Sequence, residues 1–120
     1  MAKILVIEDV LESALLARRI LVDQDHEVIL ASTGEEGLAI AQKLQPDMIL
    51  LDLGLPDIAA ETIAERLRTD ERLSETSVIV VSAWPELEIR RITQDYHLDE
   101  YIKKPFDVDF FVGTIQNYLA

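Results

Sequence analysis

Pro46-Asp47-Met48-Ile49-Leu50-Leu51-Asp52 is the stretch that decides the fold. Its four apolar residues run without alternation, the pattern of a strand buried on both faces in a parallel sheet covered by helices on either side. The proline ahead of it marks the end of any preceding helix, because the residue before proline is steered away from helical dihedrals. The run then delivers a carboxylate, Asp52, at its carboxyl end.

Working outward, the same alternation of apolar runs and helical patterns repeats. Toward the amino terminus, Ile4-Leu5-Val6-Ile7 is a second continuous, β-branched-rich run, and it stops at Glu8-Asp9. From Glu12 to Val22, Leu15, Leu16, Ile20 and Leu21 fall at helical spacing with Arg18 and Arg19 opposite, which predicts a first amphipathic helix. Val28 to Ala31 reads as a shorter strand. Thr33 with Glu36 three residues later matches a capping box, and Leu38, Ala41 and Leu44 define the inward face of the helix it opens.

Toward the carboxyl terminus, Leu53-Gly54-Leu55-Pro56-Asp57 reads as a loop and Ala59 to Arg68 as a helix with Ile63 and Leu67 inward. Val78 to Val81, opened by Thr76 or Ser77, is a buried strand ending at Ser82. A helix carrying Leu87 and Ile92 follows Pro85, proline being favoured in a first turn. Tyr101-Ile102 is a short fifth strand stopped by Lys104-Pro105. A last helix starts at Asp107 or Asp109, with Phe110, Phe111, Ile115 and Leu119 toward the sheet.

The expected architecture is therefore α/β, a doubly wound (βα)5 unit with five parallel strands, since right-handed crossovers leave few other solutions. One domain over residues 1–120 is the expectation, with no repeat or low-complexity tract. In open sheets of this kind ligands bind beyond the carboxyl ends of the strands, where strand order reverses. The residues leaving those ends are Glu8-Asp9, Asp52, Ser82 and Lys104. Three converging carboxylates repel unless a cation lies among them, and an oxygen-only set without His or Cys suits a hard ion, for which Mg2+ is the natural candidate. Asp52 then has the attributes of a nucleophile able to form an acyl phosphate. Lys104 and the Ser82 hydroxyl stand ready to meet the phosphoryl oxygens, so catalysis amounts to positioning and electrostatics.

Charge and composition narrow the partners. With 23 acidic against 11 basic residues the net charge is −12, which argues against sequence-independent nucleic-acid binding. Cysteine is absent, so thiol and zinc–thiolate chemistry are excluded. The apolar run near the start is too short for a signal peptide or a membrane span, and a cytoplasmic location is the expectation.

Val6-Ile7-Glu8-Asp9, the segment Pro46 to Pro56, Ser82-Ala83 and Tyr101-Ile102-Lys103-Lys104-Pro105-Phe106 together carry a resemblance that composition does not show. From Lys3 to Leu119 the chain resembles a CheY-like response-regulator receiver domain of two-component phosphorelay signalling. The resemblance implies a flavodoxin-like fold with strand order 2-1-3-4-5. It also implies transfer of a phosphoryl group to Asp52 from a sensor histidine kinase or a histidine phosphotransfer domain. The metal would sit on Glu8, Asp9, Asp52 and the Gly54 backbone carbonyl. Ser82 and Tyr101 would form the switch, Lys104 would be the family lysine, and Lys103 its solvated neighbour. The output would go to a protein target through the face of the fourth helix, fifth strand and fifth helix. Such a domain assists its own phosphorylation and dephosphorylation and is not a turnover enzyme.

Several positions depart from the family pattern. Ala60 stands where glycine is frequent, and His97-Leu98 stands in place of a frequent Gly-Ala, so a changed backbone is expected at both. Gly54 and Trp84 flank the acceptor and the hydroxyl, and an altered phosphate lifetime is expected from them. Alternatives from other classes fit less well. An aspartyl-phosphate phosphatase wants an acid where Gly54 stands, and a flavodoxin-like cofactor binder wants a phosphate-cradling loop where Glu8-Asp9 stand. A receiver-like interaction module that is never phosphorylated is the runner-up. Both a stand-alone regulator and a receiver cut from a longer protein fit this sequence.

Overall fold

The computed structural model describes residues 1–119. Five strands, β1 (Lys3–Ile7), β2 (Glu27–Ala31), β3 (Met48–Leu51), β4 (Ser77–Ser82) and β5 (Glu100–Lys103), alternate with α1 (Leu11–Asp23), α2 (Gly34–Leu44), α3 (Ala60–Thr69), α4 (Glu86–Asp95) and α5 (Val108–Leu119). All four pairings are parallel, and the order across the sheet is β2-β1-β3-β4-β5. The expected α/β class, connectivity and order are all present, with a short 3-10 turn (Glu71–Leu73) added ahead of β4.

Because side chains alternate along each strand, the central runs supply two cores at once. Leu5, Ile7, Ile49, Leu51, Val78 and Val80 face α2, α3 and α4, meeting Leu38, Ala41, Ile63, Leu67, Ile89 and Ile92. Ile4, Val6, Met48, Leu50, Ile79, Val81 and Ile102 face α1 and α5, meeting Ala17, Ile20, Leu21, Phe111 and Ile115. Each buried aliphatic side chain is worth about 1.5–3 kcal/mol over leaving it exposed, so the unbroken apolar runs dominate the stability.

The helix faces differ from expectation at several positions. On α1 the inward residues are Ala14, Ala17, Ile20 and Leu21, while Leu15 and Leu16 are exposed. The small alanines let the helix lie close to the strands, and the large leucines are left on its outer side. Leu44 at the end of α2, Leu87 on α4 and Phe110 on α5 are also exposed, the helix having turned each away from the sheet. Thr33 caps α2 as expected, its hydroxyl accepting from the Glu36 amide. Glu36 reaches back one residue further than a capping box requires, to the Ser32 amide. His97 has φ 55°, so it takes up the left-handed conformation without glycine. Ala60 needs no such conformation: it opens α3 and is buried.

Candidate functional site

The sheet's central strands end together, and main-chain bonds continue past the last side chain of each. The Glu8 amide donates to the Ala31 carbonyl at 2.9 Å and the Asp52 amide to the Ile7 carbonyl at 3.0 Å. Both acidic residues therefore leave the sheet with their backbones still held by the ladder. Glu8, Asp9 and Asp52 each offer a carboxylate oxygen, and these oxygens lie within 4.8 Å of one another. Glu8 is buried, Asp52 half-buried and Asp9 exposed. An all-oxygen set at this spacing fits a hard divalent cation better than a thiophilic one.

Lys104 reaches this cluster from the end of β5 and forms an ion pair with Glu8. One ammonium against three carboxylates leaves the cluster short of positive charge. The Glu8 carboxyl is pushed above its ordinary value of 4.5, chiefly by burial and next by the neighbouring Asp52 carboxyl, with Lys104 opposing. Ser82 lies at the last position of β4, wholly buried, and its hydroxyl accepts from the Trp84 amide at 3.1 Å. Its carbonyl accepts from the Lys104 amide at 2.8 Å, which ties the hydroxyl-bearing strand end to the lysine.

The remaining expected residues are placed around this centre. Gly54 is exposed, and a Cβ added there would lie 3.2 Å from the Trp84 indole nitrogen, so the ring of Trp84 stands beside the loop that follows Asp52. Tyr101 is half-buried, and its hydroxyl donates to Glu86 at 2.7 Å, which ties β5 to the start of α4. Lys103 is exposed but not merely solvated, since its ammonium donates to the Ala83 and Lys104 carbonyls, both at 3.1 Å. His26 is structural, accepting from the Ala2 amide.

Two features of the site had weak signals in the sequence. A cavity of about 350 Å3 adjoins Glu8, Asp52 and Lys104 and runs between α1 and the segment after β5, walled by Leu16, Ala17, Phe106 and Phe111. Periodicity alone does not mark it, because its α1 wall mixes Leu16 from the outer side of the helix with Ala17 from the inner one. Glu86, the partner of Tyr101, is one of many surface glutamates.

The sequence matches the response regulator receiver domain model over residues 4–116. The chain belongs to the response-regulator receiver family. The receiver is 30% identical to the polar-differentiation response regulator DivK of Brucella ovis, over 98% of this chain and 95% of that protein. It is 36% identical over 94 residues to the DNA-binding dual master transcriptional regulator RpaA of Synechocystis, covering 78% of this chain but only 39% of that protein. Among solved structures it resembles the response regulator TrrA of Thermotoga maritima, in complex with Mg2+ and BeF, with a TM-score of 0.87. That likeness, at 24% identity over 99% of this chain and 100% of the other, is one of fold. No helix among the described residues is long and apolar enough to cross a membrane.

Proposed function

We propose that this receiver accepts a phosphoryl group on Asp52 in a Mg2+-dependent reaction and signals through the resulting change in conformation. The observation that carries the reading is the convergence of Glu8, Asp9 and Asp52 within 4.8 Å, with the Lys104 ammonium paired into the cluster. The Thermotoga maritima relative, solved with Mg2+ and BeF, supports the choice of metal.

In this reading Glu8, Asp9, Asp52 and the Gly54 carbonyl hold the metal. When bound, Mg2+ supplies the divalent charge that lets three carboxylates and a phosphoryl group share one site. The attacking group is an Asp52 carboxylate oxygen, and no general base takes part in the step. That oxygen forms the new O–P bond as the N–P bond of a phosphohistidine breaks. The electron pair stays on the donor imidazole, which takes a proton from water. Lys104 meets an equatorial phosphoryl oxygen, drawing its ammonium from Glu8 toward the new charge, and the Ser82 hydroxyl meets another. For Ser82 this means leaving the Trp84 amide it now accepts from.

The switch follows from that movement. As the Ser82 hydroxyl shifts toward the phosphoryl group, space opens beside β5 and Tyr101 turns inward, giving up its bond to Glu86. The two arrangements form a bistable element biased by a local charge. The face of α4, β5 and α5 then presents a changed surface to a downstream protein. The donor is a sensor histidine kinase or a phosphotransfer domain, the setting is cytoplasmic, and residues 1–120 act as one receiver without turning over a substrate.

Incubation with acetyl phosphate and Mg2+ followed by intact-mass measurement tests this. The expected result is a gain of one phosphoryl mass that disappears with a chelator and in Asp52→Ala. No gain in the wild type would favour an interaction module that works without phosphorylation.

A further inference from the structure

The loop between β3 and α3 carries Asp52 at one end and is fastened to a distant helix at the other. Asp57, five positions after Asp52, directs both carboxylate oxygens at the start of α2. One oxygen accepts from the Gly34 amide at 2.8 Å and the other from the Glu35 amide at 2.9 Å. Thr33 takes the next amide, that of Glu36. The first three free amides of α2 are thus divided between the helix's own cap and a carboxylate from 22 to 23 residues away, where a negative charge is also favoured by the helix dipole. These two amide bonds hold the Asp57 carboxyl below its ordinary value.

A second observation independently joins the same surfaces. Gly34 has no room for a side chain, because a Cβ there would lie 2.0 Å from Ile58 Cγ2 and 3.2 Å from Asp57 Oδ1. The loop is seated directly against the helix backbone. Between Asp52 and Asp57, Leu53 and Leu55 are buried while Gly54 is exposed between them. The two leucines fix how deeply the loop sits, but apolar contacts carry no direction. The paired hydrogen bonds of Asp57 do. The corner from Ala31 to Glu35 consequently holds both halves of the acidic site, since the Ala31 carbonyl accepts from the Glu8 amide at 2.9 Å.

We propose that Asp57 is a positioning residue, clamping the β3–α3 loop to the amino terminus of α2 so that the Gly54 carbonyl is held in register with Glu8, Asp9 and Asp52. The metal half of this statement rests on the reading of Gly54 as a ligand, while the clamp itself does not. Supporting groups of this kind typically cost about 10-fold or more in metal affinity when removed.

The test compares Asp57→Ala with Thr33→Ala, which removes a cap from the same helix without touching the loop. Two readouts are taken. In metal-free protein, the backbone 15N order parameter of Gly54 should fall from the about 0.85 of rigid backbone toward 0.6 in Asp57→Ala and stay unchanged in Thr33→Ala. By calorimetric titration with Mg2+, the dissociation constant should rise about 10-fold in Asp57→Ala and remain within about 2-fold of wild type in Thr33→Ala. Asp57→Asn keeps one acceptor oxygen and should fall between them, and it decides the matter if the alanine variant does not fold. An unchanged Gly54 order parameter in the Asp57 variants, or equal effects from Thr33→Ala, would overturn the clamp. If the wild type binds no Mg2+, the metal reading fails, and the metal-free order parameters still decide the clamp.

Discussion

At Lys104, two jobs pull in opposite directions. Its ammonium partners Glu8 in the resting site, yet it occupies space beside carboxylates suited to a divalent cation. Removing it should therefore make Mg2+ bind more tightly, because a like charge is gone, while phosphorylation slows, because a phosphoryl oxygen loses its donor. For Lys104→Ala we expect a lower Mg2+ dissociation constant by calorimetry. We also expect acetyl phosphate labelling slowed by about 100-fold in a mass time course. A variant that is merely damaged would lose both. At this scale the sequence was informative where a residue ends a strand: Glu8, Asp9, Asp52, Ser82 and Lys104 are legible because a buried run has to stop somewhere. Asp57 was not, because its partners are backbone amides 22 to 23 positions away, and a loop acid after proline looks like any solvated turn residue.

Strands and helices were legible to different degrees. The strand runs were unambiguous, since a parallel sheet covered on both sides demands apolar residues at every position. The helices offered two candidate faces wherever apolar residues outnumbered those the sheet could cover, and α1 chose its alanines over Leu15 and Leu16. This has a measurable consequence. Leu15→Glu should change unfolding free energy by no more than about 0.5 kcal/mol, whereas Ile20→Ala should cost about 2–5 kcal/mol. Urea titration of both variants checks the assignment. A large loss from Leu15→Glu would return that residue to the core. The left-handed His97 shows the same limit, since a non-glycine residue in that conformation leaves no mark in the sequence.

Over the whole molecule, titration should follow two opposing windows. Asp57 and Asp70 have carboxyls held below their ordinary value of 3.8, by backbone amides at Asp57 and chiefly by the Arg72 side chain at Asp70. Their contribution is present above 3.8 and is lost as pH falls through their lowered folded values. Glu8 behaves in the opposite sense. Its folded value is raised above 4.5, so the metal-free fold binds the proton more tightly than the unfolded chain does, and stability falls as pH climbs from 4.5 through that raised value. The net charge of −12 adds repulsion in the same direction. Urea unfolding with a chelator present should show stability declining from mildly acidic toward neutral pH, and Mg2+ should recover it by binding the folded state only. A chelator-treated protein equally stable across that interval would contradict the electrostatic picture of the site.

The most direct measurement is to trap the phosphoryl group where it sits. The protein is labelled with acetyl phosphate and Mg2+ and reduced with borohydride, which converts an acyl phosphate to an alcohol, and its peptides are then sequenced by mass spectrometry. The expected result is homoserine at position 52 alone, abolished by omitting Mg2+. Reduction at Asp9, or phosphoryl mass with Asp52 recovered intact, would contradict the assignment of the acceptor.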